Sequence, residues 1–323
     1  MTMANTGASE SLNPVLAGED GYLFLVKGAH SVLDLCQGTH RATEASVRAF
    51  GNNLRTRMDY CARHGIAFRQ VVFPEKLVAL SELSGMGSDI RSIYERNYSA
   101  HVAGIAGLPN DLYPLRLMKG RKDFFLRTDT HYSAGGILAL AEHLCASLGL
   151  DATDTLRNGQ GKVTHSQAEF VGDLGNKFTP PVSESAVICA PFRTPRFNMA
   201  SNGVMRGNDG LMILSETPDS LTDKVLLIFG DSFFRQMLPI LTLVFRKIVF
   251  CRTRFFQAEL VPAVAPDVIF YGQAERYLSG CRLDEDRENF LSYAWANGKP
   301  MQPQENFHAL WSRIFDRKKL LQE

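Results

Sequence analysis

Excess charge is what this sequence has least of. Its 323 residues carry 35 Lys and Arg against 34 Asp and Glu, a formal net charge of +1. A nucleic-acid surface needs a clustered basic surplus, and no basic tract interleaved with aromatics occurs, which argues against nucleic acid as a partner. Long apolar runs are also missing: the longest, around MLPILTLVF, ends at Arg246 and Lys247, well short of a membrane span. The six cysteines (Cys36, Cys61, Cys145, Cys189, Cys251, Cys281) are scattered and form no C-x-x-C pair. They read as buried thiols in a reducing compartment, not as a zinc site or a disulfide framework. No cluster has metal-ligand spacing and no glycine-rich loop suggests a phosphate cradle, so neither a metal nor a bound cofactor is expected. The opening MTMANTGASESLNPVLAGEDG lacks a basic n-region and an apolar h-region. A cytoplasmic location is therefore expected as the chain stands, or a periplasmic one if a leader has been removed.

What is present is ordinary globular composition, 45% hydrophobic and 21% charged, with length for one large or two modest domains. Residues 1–19 are rich in Ser, Asn, Gly and Ala and are expected to be flexible, with order beginning at Asp20-Gly21-Tyr22. A helix is expected over 43–64, then a strand over 66–73 that breaks at Pro74. Ser133 is a natural N-cap for SAGGILALAEHLCASLGL. Residues 151–222, rich in Gly, Pro, Ser, Thr and Asn, read as a loop-rich insert. From Lys224 the rhythm sharpens: strand VLLIF, helix FRQMLPILTLVF, strands KIVFC and DVIFY, and helix QAERYL. Alternating buried strands and helices signal an α/β fold with a parallel sheet covered on both faces. In the extension over 283–323, Phe307, Leu310, Trp311, Ile314 and Phe315 share one helical face. That face either docks on the domain or meets a partner protein or a membrane surface.

The stretch LLIFGDSFFRQM places Ser232 where a buried strand gives way to a helix. In open α/β sheets ligands bind at the carboxyl ends of strands, and a helix N-terminus there offers free N–H groups and a positive field. A nucleophilic serine fits that position, with its own N–H as part of an oxyanion hole. A plain helix cap fits it too. The serine also needs a base, and the base an orienter. FFLRTDTHYSAGG supplies both: Asp129 and His131 lie two residues apart, so in an extended segment their side chains leave on the same face. A carboxylate on one imidazole nitrogen leaves the other free to face Ser232.

Several landmarks then fall in order: Asp20-Gly21-Tyr22-Leu23-Phe24, Val71-Val72-Phe73-Pro74-Glu75-Lys76, Asp111-Leu112 and Thr128-Asp129-Thr130-His131-Tyr132. Gly172-Asp173-Leu174, Gly230-Asp231-Ser232-Phe233 and the run from Pro266-Asp267 to Tyr277-Leu278 complete the series. Together they resemble the SGNH-hydrolase-like alginate O-acetyltransferase family, the AlgX/AlgJ group also called DHHW proteins. The resemblance spans Asp20 to about Leu278. It implies a flavodoxin-like SGNH domain over 20–282 in circularly permuted order, with Asp and His ahead of Ser. It also implies an acyl-serine mechanism that moves acetyl groups onto or off carbohydrate hydroxyls, with Ser232 as nucleophile, His131 as base and Asp129 as orienter. Tyr132 stands where the family usually has Trp, keeping an aromatic wall but adding a hydroxyl. The forty-five or so residues after Leu278 are too few for an appended carbohydrate-binding module.

Other residues carry weaker expectations. Phe233 can line the pocket or merely pack, and Arg235 fits a solvated helix face. Lys76 sits at a strand end, in substrate contact or on the surface. Arg252 and Arg254 suit an anionic acceptor or the phosphates of an acyl donor, or are solvated. Gln273 is placed to reach the site from the same sheet end, and Glu275 with Arg276 reads as a structural ion pair. The first reading is an O-acetyltransferase acting on a sugar or polysaccharide with an acetyl donor. The second is an esterase or deacetylase with the same residues, and the third a non-catalytic carbohydrate-binding assembly protein.

Overall fold

The computed structural model describes residues 14–28, 30–87, 89–108, 112–159, 165–189, 198–204 and 209–321. Asp111, and residues 1–13 of the segment expected to be flexible, lie outside them. Ten strands are described: β1 (Val15–Ala17), β2 (Leu23–Leu25), β3 (Ala67–Phe73), β4 (His165–Phe170), β5 (Glu184–Cys189), β6 (Asn198–Ser201), β7 (Met212–Glu216), β8 (Thr222–Gly230), β9 (Phe245–Arg252) and β10 (Val268–Ala274). The central sheet has the order β3-β10-β8-β9-β7-β6. Its first four strands are parallel, whereas β7 runs antiparallel to β9 and β6 antiparallel to β7.

The centre of the sheet follows from its sequence. Leu226, Leu227, Ile228 and Phe229 of β8 are all fully buried, which requires cover on both faces and explains an unbroken apolar run where one solvated face would give alternation. Residue parity on β3 shows what the cover is. Gln70 Oε1 accepts from Arg57 of helix Glu44–Arg63, and Phe73 meets Phe234 of helix Ser232–Leu241 at 5.0 Å between ring centroids. Positions 70 and 73 point to opposite faces of a strand, so the two helices lie on opposite sides. The first is capped by Thr43, whose side chain accepts from Ser46 N, and helix Ala134–Ser147 by Ser133, which accepts from Gly136 N.

Three expectations are corrected, and of the two readings of the C-terminal helix the docked one is found. Order begins at Val15, not Asp20, because β1 pairs antiparallel with β2. The stretch 151–222 is not only loop: it adds β6 and β7 to the main sheet and forms the separate hairpin β4–β5. Such short segments have no periodicity to reveal them, and their pairing partners define them as strands. QAERYL is helical only in part and not α-helical: Gln273 and Ala274 finish β10, and a 3₁₀ helix follows over Glu275–Gly280. Finally, the apolar face of helix Phe307–Ile314 is spent on the domain. Phe307, Leu310, Ile314 and Phe315 are buried, the helix packs on β6 and β7, and Arg313 pairs with Glu216 at 3.1 Å. That face is therefore not available to a membrane or a partner. Among the described residues no helix is long and apolar enough to cross a membrane.

β8 and β10 approach closely where they end. A Cβ on Gly230 would lie 2.6 Å from Gly272 O and 2.8 Å from Phe234 Cδ2. Gly230→Ala is expected to cost about 1–3 kcal/mol by overpacking, read as a lower urea midpoint with an unchanged slope.

Candidate active site

Ser232 is the first residue of helix Ser232–Leu241, directly after β8 and its cap Asp231. Asp231 does more than cap. Its Oδ1 accepts from Phe233 N at 3.0 Å, and its Oδ2 accepts from Ala274 N at 2.6 Å. One carboxylate thus ties the start of the helix to the end of β10. The serine is held at a carboxyl edge of the sheet, 8% exposed, on the positive end of the helix.

The segment before helix Ala134–Ser147 reaches the same place. His131 Nδ1 lies 2.6 Å from Asp129 Oδ1, and His131 Nε2 lies 2.7 Å from Ser232 Oγ. Because an ionised carboxylate can only accept, Nδ1 carries the proton and Nε2 is free to accept from the serine hydroxyl. Four further bonds hold Asp129 and its neighbour. Asp129 Oδ1 accepts from His131 N at 2.9 Å, and Oδ2 accepts from Asp173 N at 2.9 Å. The Asp173 carboxylate takes Thr130 N at 2.8 Å and Thr130 Oγ1 at 2.6 Å. Burial works against a charge on Asp129, but the hydrogen bond and charge of His131 and the N–H groups of Asp173 and His131 win, holding its carboxyl at about 2.

Asp129, His131 and Asp173 also bring potential metal-ligating atoms within 4.8 Å of one another. Their oxygens and His131 Nδ1 are already committed to the bonds just given, so the cluster fits a hydrogen-bonded relay better than an ion site.

Support comes from residues the sequence reading undervalued. Gly172 and Gly175 lie against Thr128, where a Cβ on Gly172 would sit 2.2 Å from Thr128 O. Glu184 accepts from Thr128 N at 2.7 Å and Arg127 N at 3.0 Å. Gly172-Asp173-Leu174 was visible only as a family landmark, and Glu184 gave no signal, since neither has a local pattern that names its distant partner.

The remaining expected site residues divide. Lys76 is neither in substrate contact nor on the surface: it is 3% exposed, and its Nζ donates to Leu126 O, Arg127 O and Asp129 O. Burial pushes its amine down to about 7, against the carboxylates of Asp129, Glu184, Asp173 and Glu75. Tyr132 is not a pocket wall either. It is buried among Phe124, Phe125 and Phe233, and its hydroxyl donates to Pro74 O. Phe233 is buried between His131, at 4.8 Å, and Phe73, at 5.2 Å, so it backs the imidazole. Arg235 is exposed, in keeping with a solvated helix face. Glu275 and Arg276 do not pair with each other. Arg276 pairs with Glu75 at 2.9 Å and lies over the Phe233 ring. Glu275, fully buried and pushed up to about 7 mainly by that burial, accepts from Ser92 Oγ, Tyr94 N, Glu75 N and Tyr113 OH.

Arg252, Arg254 and Gln273 do come together. With Gly230, Asp231 and Tyr277 they line a recess of about 30 Å³ beside the serine turn. They also line a cavity of about 220 Å³ reaching to Gln257, Phe290 and Tyr293. Gln273 Nε2 donates to Arg254 O at 2.9 Å and to the Tyr271 hydroxyl. Arg252 is not solvated: it is 8% exposed and has no ion pair or side-chain hydrogen bond among the described residues. Gln257 Oε1 is buried without a partner among them.

A mostly parallel α/β sheet with a serine at a strand end, an imidazole on its hydroxyl and a carboxylate behind the imidazole is a hydrolase-like arrangement, and the family match places it among the SGNH-hydrolase-like proteins. Residues 15–236 match the family described as "SGNH hydrolase-like domain, acetyltransferase AlgX". The chain belongs to that family. Among solved structures, PatB1 of Bacillus cereus is similar with a TM-score of 0.53 and 12% identity, over 82% of this chain and 97% of that one. The O-acetyltransferase domain of Pseudomonas putida AlgJ is similar with a TM-score of 0.50 and 17% identity, over 88% and 99%. At these identities the likeness is one of fold. No curated protein matches the sequence.

The depressed Asp129 carboxyl sets a stability dependence. Its folded value, about 2, lies below the ordinary 3.8, so its contribution is complete above about pH 4 and is lost as pH falls towards 2. That contribution is about 2 kcal/mol. Urea midpoints from pH 5 to pH 2 should fall less steeply for Asp129→Asn than for the unaltered chain.

Proposed function

We propose that the protein is an O-acetyltransferase that carries an acetyl group on Ser232 and delivers it to a carbohydrate hydroxyl. The observation that carries this reading is the continuous relay from Asp129 through His131 to Ser232, with contacts of 2.6 and 2.7 Å. Membership of an acetyltransferase family supports the choice of acyl group.

In this reading Ser232 Oγ attacks the carbonyl carbon of the acetyl donor while His131 Nε2 takes the serine proton. The Ser232 N–H, on the first turn of its helix, faces the developing oxyanion. The tetrahedral intermediate collapses, the donor's leaving group departs with the proton from His131, and acetyl-serine remains. A sugar hydroxyl then gives its proton to His131 and attacks the ester carbonyl. The acetyl ester leaves and Ser232 recovers its proton. Asp129 stays ionised throughout and stabilises the imidazolium. The chain's own residues supply every proton transfer, and only the acetyl donor comes from outside.

The larger cavity, which shares Arg252, Arg254 and Gln273 with the recess beside the turn, supports a hydroxylated acceptor. Among the described residues Arg252 brings unspent donors and Gln257 Oε1 an unspent acceptor, and Arg254, Gln273 and aromatic edges lie around them. Hydroxyls of a bound sugar satisfy such groups.

Incubation with p-nitrophenyl acetate, with and without oligosaccharides, tests the reading. One acetyl group should appear on Ser232 by mass spectrometry, and acetylated oligosaccharide should accumulate faster than free acetate. Ser232→Ala and His131→Ala should each lower kcat/KM roughly 10³-fold or more. Free acetate alone would make the protein an esterase, and no acetyl-serine with no turnover would leave it a binding protein. Arg252→Met should raise the acceptor KM by about tenfold, more than it lowers kcat.

A further inference from the structure

The loop that carries Asp129 and His131 is short, closed and filled from inside by a single side chain. Phe125 bridges to Tyr132, and Leu126 N donates to His131 O at 3.3 Å. Into this loop projects Lys76, the first residue of the short helix Lys76–Ala79 that follows β3. Its Nζ lies 2.8 Å from Leu126 O, 3.0 Å from Arg127 O and 2.6 Å from Asp129 O. An ammonium has three N–H groups, and here each has one carbonyl. Among the described residues no carboxylate lies within ion-pair distance of Nζ. The ammonium is therefore bonded only to backbone carbonyls among the described residues, while the carboxylates of Asp129, Glu184, Asp173 and Glu75 act on it from beyond contact.

This geometry bears on one residue above all. Asp129 is gripped at its carbonyl oxygen by Lys76 and at its carboxylate by His131 and Asp173. Its backbone and side chain are thus fixed from opposite sides. Arg127 O has a second donor, Leu23 N at 2.9 Å, so the part of the loop nearest the relay depends most on the ammonium. We propose that Lys76 is a positioning residue of the relay, its ammonium pinning the Leu126, Arg127 and Asp129 carbonyls so that Asp129 holds His131 in line with Ser232. The inference rests on the acyl-serine reading for its kinetic consequence but not for its structural one.

A pin that served stability alone would lower the melting temperature and leave surviving folded molecules fully reactive. A positioning role predicts that folded molecules react slowly. Misplacing a catalytic group by about 1 Å costs about 10²-fold, so Lys76→Met in the full-length chain should lose about that factor in kcat for p-nitrophenyl acetate, with KM changed less than about threefold. The low-field proton NMR signal of the His131 Nδ1–H···Asp129 bond, identified by its loss in His131→Ala, should shift or broaden in Lys76→Met. In Lys76→Ala, n-butylammonium should restore activity in proportion to its concentration, whereas n-butanol, of like size but uncharged, should not. Lys76→Arg keeps the charge and serves if the Met variant fails to fold; its planar fork does not match three converging carbonyls, so its kcat should also fall. A folded Lys76→Met or Lys76→Arg with an unaltered low-field signal and kcat within about threefold of the unaltered chain overturns the proposal. If the unaltered chain neither turns over nor forms acetyl-serine, the proposed function fails, and the NMR signal still decides the role of Lys76.

Discussion

The Asp129 carboxylate is the point on which the site depends. It accepts three hydrogen bonds, two from His131 and one from Asp173 N, and so joins the loop before helix Ala134–Ser147 to the segment after β4. Charge-assisted bonds of this kind are stronger than neutral ones, and they keep the carboxyl ionised at a depth where burial alone would neutralise it. An ionised Asp129 fixes the His131 tautomer. The tautomer leaves Nε2 free, and a free Nε2 gives the Ser232 hydroxyl something to bond to. Break the first link and the later ones lose their reason.

The other half of the site is built by a different carboxylate in a similar way. Asp231 divides its two oxygens between the helix it caps and the end of the neighbouring strand, so the serine turn moves only if the sheet moves. Behind both halves lies a buried ionic layer: Arg276 with Glu75, Glu275 with four donors, and the Phe233 ring between Arg276 and His131. Buried charge is costly unless its partners are well placed. Here almost every partner is a backbone group or side chain from a separate element, which makes the layer a device for registering those elements against one another.

Much of this was legible locally. The Ser133 cap, the run into Gly-Asp-Ser and the Asp-x-His spacing are relations between near neighbours, and the structure keeps them. The roles of Lys76, Tyr132, Glu275 and Arg276 were not legible. A lysine after a strand looks the same whether its ammonium meets solvent or three carbonyls fifty residues away. Glu275 and Arg276 are adjacent in the chain, yet consecutive side chains leave in different directions and find separate partners. β6 and β7 are four and five residues long, too short to announce a period.

The sequence by itself determined the long helices near 44–63 and 134–147, the buried strands at the centre of the sheet and the chemical identity of the three relay residues, because caps and apolar periods act over a few residues. Tertiary structure alone decided that Asp129 and His131 meet Ser232 across a hundred residues of chain. It also turned Lys76 inward to the loop, set Arg252 at a cavity and spent the C-terminal apolar face on the sheet edge. Those outcomes depend on which surfaces are brought together, and hydrogen bonds and charges are short-ranged in a way that sequence distance does not measure.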